Sequence, residues 1–139
     1  MVQLVLGKKG KGKTRHLLAK VNEEILNVHG NIVYLDKNTK HMYELNNKIR
    51  LINVMEYNIT DSKEFVGFIN GIISQDHDIE QMYFDSFLTI GCVKEEDFET
   101  VVDKLEKISK RFNLSFFLSC ALDESDISDS LREKVIISL

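Results

Sequence analysis

Eight consecutive residues, Gly7-Lys8-Lys9-Gly10-Lys11-Gly12-Lys13-Thr14, combine glycine, lysine and a hydroxyl at the spacing G-x-x-x-x-G-K-[ST]. The chemistry of that pattern is capture of a polyphosphate. Glycines let successive backbone N–H groups turn toward one point, a lysine adds a point charge, and a threonine hydroxyl offers a hard oxygen to magnesium. The expected nucleotide-binding residues are therefore Gly7, Lys8, Lys9, Gly10, Lys11, Gly12, Lys13 and Thr14, with Lys13 reaching the β- and γ-phosphates. The dinucleotide fingerprint G-x-G-x-x-G does not fit. Counted from Gly10, its third glycine falls on Arg15.

A magnesium ion held by Thr14 needs a carboxylate as well, directly or through water. Gln81-Met82-Tyr83-Phe84-Asp85 supplies one, as a mostly apolar segment ending on an aspartate. Thr14 and Asp85 are accordingly the expected metal residues, and Lys13 and Asp85 the leading catalytic ones.

These side chains need elements to position them. Val2 to Leu6 is apolar and rich in strand formers, and it runs directly into the glycine loop. Leu17, Leu18, Val21, Ile25 and Val28 then follow at helical spacing, with His29-Gly30-Asn31 as the stop and Gly30 as a left-handed cap. A strand, a glycine loop and a helix in that order aim the loop's N–H groups and the helix's positive end at one spot. Strands are further expected at residues 32–36, 49–55, 79–84, 114–118 and 135–137. Helices are expected from Asp61, which forms a capping pair with Glu64, and from Glu95-Glu96-Asp97 as an acidic first turn, ending near Asn113. Strands alternating with amphipathic helices predict an α/β fold with a mainly parallel sheet and helices on both faces. Residues 1–139 read as a single nucleotide-binding domain, and the loop, Asp36, Asp85 and Ser119 fall where such sheets bind ligands, beyond the strands' carboxyl ends.

Composition narrows the classes. Hydrophobic residues make up 43% and charged residues 29%, with a net charge of -4, which suits a globular domain and argues against a general nucleic-acid coat. Lys8, Lys9, Lys11, Lys13 and Arg15 are nevertheless gathered in one loop, as a compact anion would require. Cys92 and Cys120 lack metal-type spacing, and no apolar stretch approaches membrane-spanning length. The expectation is a cytoplasmic protein with reduced thiols, no membrane contact and no direct nucleic-acid binding.

Taken together, these segments resemble a RecA-like P-loop ATPase core of the branch that includes RadA- and KaiC-type domains. Asp85-Ser86-Phe87-Leu88 is similar to the aspartate-serine-apolar run of that family's second motif. Gly30 to Asp36 resembles its second strand, and Leu114 to Ser119 occupies the place of its phosphate-sensing strand. The resemblance implies the P-loop NTPase three-layer sandwich, Mg2+ and ATP as cofactors, ATP over GTP, and a homo-oligomer or larger assembly as partner. It also marks departures. The family's water-polarising glutamate corresponds to Asn38, which can position water but cannot accept its proton. Asp36 and Glu44 are the nearby substitutes. Ser119-Cys120 stands where a glutamine, asparagine or histidine would be, and the extended DNA-contacting loops are short here, one of them acidic.

The expected function is an Mg-ATP-binding domain that acts as a slow ATP hydrolase. The alternatives are a nucleotide-dependent binding module or switch with negligible hydrolysis, and a small-molecule or nucleotide kinase. The last is disfavoured because no arginine-bearing lid is evident.

Overall fold

A computed structural model describes residues 1–139. Its centre is a six-stranded sheet, all parallel, built from β1 (Val2–Leu6), β2 (Asn31–Asp36), β3 (Arg50–Asn53), β4 (Ile79–Phe84), β5 (Ser115–Cys120) and β6 (Val135–Ser138). The spatial order is β3-β2-β4-β5-β1-β6. The expected mainly parallel sheet is thus wholly parallel, and β5 separates the strand that precedes the glycine loop from the strand that precedes Asp85.

Alternation along the strands divides the core in two, because successive side chains point to opposite faces. On one face Tyr34, Tyr83, Phe117, Val5 and Ile32 pack against Leu17, Leu18, Val21 and Ile25 from α1 (Lys13–Glu24) and the segment after it. On the other face Leu4, Leu35, Phe84, Phe116 and Leu118 meet two long helices, α2 (Ser62–Ser74) and α4 (Phe98–Phe112). The short helices α3 (Phe87–Ile90) and α5 (Asp129–Arg132) add Phe87, Ile90 and Leu131 to that layer. Helices therefore cover both faces, with α1 alone on one of them. No helix is long and apolar enough to cross a membrane.

Local chemistry explains the element ends. Asp61 caps α2 by accepting from the Glu64 N–H at 2.8 Å, while Glu64 accepts from the N–H and hydroxyl of Thr60, both at 2.7 Å. Asn113 closes α4 in the left-handed region, at φ 53°. Three expectations are corrected. The helix after the glycine loop stops at Glu24, and residues 25–27 continue as turns. Gly30 is not a left-handed cap. A side chain there would meet the Asp78 carbonyl oxygen at 2.0 Å, so glycine is required by close approach of the segments entering β2 and β4. Glu95-Glu96-Asp97 likewise forms a separate 3-10 turn ahead of α4, whose own first turn carries Glu99.

Candidate functional site

At the carboxyl end of the sheet, β1 gives way to the Gly7–Thr14 loop, and α1 begins immediately after it. Gly10 and Gly12 adopt φ of 86° and 94°, and nothing lies within 4 Å of where a side chain would stand at either. Glycine is needed there for its torsions and not for space. The first intrahelical bond of α1 runs from the His16 N–H to the Gly12 carbonyl at 3.3 Å, which leaves the N–H groups of Lys13, Thr14 and Arg15 with no backbone acceptor. With the partial positive charge of the helix end, these donors have the chemistry to receive an anion.

Lys13 folds back across the loop, donating from Nζ to the Lys8 carbonyl at 3.3 Å. Burial lowers its pKa, opposed by the attraction of Asp85. Lys8 points the other way and pairs with Asp126 at 3.0 Å. Of the loop's residues, Lys9, Gly10, Gly12, Lys13 and Thr14 line a cavity of about 340 Å³ together with Lys37, Asp85, Ser86 and Ser119. Gly7, Lys8 and Lys11 build the loop from outside that cavity.

Asp85 is buried, 3% exposed, just past the end of β4. Its N–H bonds to the Leu35 carbonyl at 2.9 Å, extending the sheet by one residue. The next residue, Ser86, sits in the left-handed region at φ 54°, an uncommon conformation for a side-chain-bearing residue, and turns the chain sharply into α3. Thr14 donates from Oγ1 to Asp85 Oδ1 at 3.1 Å. The two residues expected to share a cation are thus brought together, one from α1 and one from β4. Their oxygens are hard donors of the kind magnesium takes, few in number and supplemented by water.

Register arranges the neighbours of Asp85 into rows. Tyr34 pairs with Tyr83, and Tyr83 with Phe117, across β2, β4 and β5. The three rings stack, with centroids 6.3 and 4.5 Å apart. Two residues further along the same face come Asp36, Asp85 and Ser119, a polar row beneath the start of α1. All three are buried, and Asp36 Oδ2 and Ser119 Oγ have no hydrogen-bond partner. The other oxygen of Asp36 accepts from the Lys37 N–H at 2.7 Å. Burial raises the Asp36 pKa, that N–H opposes the shift, and the negative charge of Asp85 adds to it. Unpartnered buried polar atoms are rare and call for an occupant or a role.

Asn38 lies in the turn after β2. Its Oδ1 accepts from the Lys40 N–H at 3.1 Å, and its side chain is absent from the cavity wall. Glu44 lies further out and is tied to His41 at 2.5 Å. The structure therefore gathers the loop, Thr14, Asp85 and Ser119, and leaves Asn38 and Glu44 at a distance.

One residue of the site was not anticipated. Tyr34, read only as part of a strand, donates its hydroxyl to Asp85 Oδ2 at 3.0 Å. No local pattern marks it: Tyr34-Leu35-Asp36 and Tyr83-Phe84-Asp85 repeat Tyr-x-Asp at two strand ends, yet Tyr34 reaches the aspartate of the other strand and Tyr83 reaches neither. A larger cavity, of about 1040 Å³, opens at the opposite end of the sheet around Gly30, Asn31, Ile79 and Ser115. It holds none of the expected site residues and neither of the unpartnered atoms. No protein-family model and no curated protein matches the chain.

Proposed function

We propose that the chain is an Mg-ATP-binding domain of the RecA-like P-loop kind, with the phosphates taken up by the Gly7–Thr14 loop and the magnesium held by Thr14 and Asp85. The observation that carries this reading is the Thr14–Asp85 hydrogen bond beside a helix start with free N–H donors. A loop built only as a surface turn would not need a buried aspartate from another strand at its mouth. In the bound state Lys13 exchanges the Lys8 carbonyl for phosphate oxygens, and the ion neutralises phosphate charge, which is the main demand of phosphoryl chemistry.

Hydrolysis is slow in this reading. Asp85 is the one carboxylate lining the cavity, and it is committed to Thr14 and Tyr34. The carbonyl oxygen of Asn38 is engaged in its own turn. A general base must come within hydrogen-bond reach of the attacking water, and the same facts favour the second reading, a nucleotide-dependent switch with negligible turnover. Calorimetric titration with ATP, with and without Mg2+, tests binding. Phosphate release, with and without acceptor molecules, separates a hydrolase from a switch and from a kinase. Absence of ATP binding under any of these conditions overturns the proposal.

A further inference from the structure

Tyr34 is fully buried inside the sheet layer, yet its hydroxyl makes one hydrogen bond, and that bond goes to Asp85. Its ring has little freedom, because Tyr83 stacks against it and Phe117 stacks against Tyr83. The Tyr83 hydroxyl turns the other way, donating to Gln81 at 2.7 Å. Two tyrosines stand side by side in one row, then, and only one of them reaches the carboxylate.

The two oxygens of Asp85 are consequently divided. Oδ1 faces the Thr14 hydroxyl and Oδ2 faces the Tyr34 hydroxyl. A carboxylate pinned by two donors cannot rotate about its last bond without losing one of them, and a buried acceptor that loses a donor is penalised. We infer that Tyr34 is a positioning residue for the magnesium site, fixing the rotamer of Asp85 so that Thr14 is held with its oxygen available to the ion. The inference rests on the nucleotide-site reading above and adds to it a residue outside the loop and outside the cavity wall. Groups that orient metal ligands in this way typically matter about 10–100-fold in metal affinity.

The test compares ATP affinity with Mg2+ and with a chelator in five proteins: wild type, Tyr34→Phe, Tyr83→Phe, Asp85→Asn and the double variant Tyr34→Phe/Asp85→Asn. Tyr34→Phe is expected to lose about tenfold of the Mg2+-dependent part of affinity and none of the chelator value. Tyr83→Phe, which removes the hydroxyl of an equally buried tyrosine in the same row, is expected to keep both. The double variant should bind Mg-ATP no worse than Asp85→Asn alone, since Tyr34 acts through Asp85. A matching wild-type measurement needs no substitution: the Tyr34 ring carbon bearing the hydroxyl should shift in carbon NMR on adding Mg-ATP, and not on adding ATP with chelator. Equal loss in both tyrosine variants, full Mg2+ dependence in Tyr34→Phe, or an unmoved Tyr34 resonance overturns the inference and leaves the nucleotide site standing. Wild-type ATP affinity indifferent to Mg2+ overturns both.

Discussion

The Thr14 hydroxyl lies 3.1 Å from Asp85 Oδ1 although the two residues are 71 positions apart in the chain. The strands that precede them do not touch. β5 stands between β1 and β4, so the contact is made above the sheet, by the first turn of α1 reaching across. That relationship decides which substitutions should separate phosphate binding from metal binding.

Lys13→Ala should weaken ATP binding with or without Mg2+, by about 1.5–3 kcal/mol, the worth of a hydrogen bond to a charged group. Asp85→Asn should instead remove the Mg2+-dependent portion and leave the chelator value near wild type. Titration calorimetry reads both. Equal affinity of wild type and Lys13→Ala would refute the assignment of the loop.

Turnover should be low in the wild type and should rise in Asn38→Glu. General-base catalysis is worth about 10²–10⁴-fold, and the gain should fall short of that, since the new side chain must first leave the Lys40 N–H that Asn38 now occupies. Brisk wild-type hydrolysis abolished by Asp36→Ala would transfer the base to the polar row.

Asp36 also gives the protein a pH signature. Its folded pKa is raised by burial above the ordinary 3.8, so the folded state holds this proton more tightly than the unfolded chain. Stability is therefore lost as pH rises from that ordinary value through the folded one. Asp36→Asn should melt higher than wild type at pH 7, and the two melting curves should converge as pH falls below about 4. A constant difference across that range would show that Asp36 is not held as described.

Gly30→Ala should cost about 1–3 kcal/mol, as overpacking does, because the new methyl would sit 2.0 Å from the Asp78 carbonyl oxygen. Urea midpoints measure it. ATP affinity should be unaffected, since Gly30 is at the far end of the sheet from the glycine loop.

Much of this was legible in the residues themselves. Periodicity located β1, β2, β4 and α4, and the capping pair located the start of α2, because in each case one local pattern agreed with the final packing. What misled were signals with two physical meanings. Glycine after a helix serves a left-handed cap and a close backbone approach equally well, and Gly30 serves the second. Val28 sits at helical spacing from Ile25 but lies beyond the helix and the turn after it, packed against the same apolar cluster. At the site, the loop and Asp85 were readable because their spacing or setting is chemically specific. Tyr34 was not, because an aromatic in a strand is first of all core. Only the sheet register brings its hydroxyl diagonally onto the carboxylate of the next strand.

The strand order also carries a consequence for how the molecule is made. β1 has no sheet neighbours other than β5 and β6, so Val2 waits for Phe116 and Leu4 for Val135. Synthesis delivers the glycine loop first, and the surface that frames it comes last. A nascent chain that has not reached Ser115 holds every residue of Gly7 to Thr14 while β1 dangles without a ladder, and β2, β3 and β4 can already pair among themselves. Closing β1 into its slot joins segments more than a hundred residues apart, the kind of non-local step that makes folding slow. On the proposed function, competence to hold a phosphate group therefore arrives only once β5 and β6 have paired with β1.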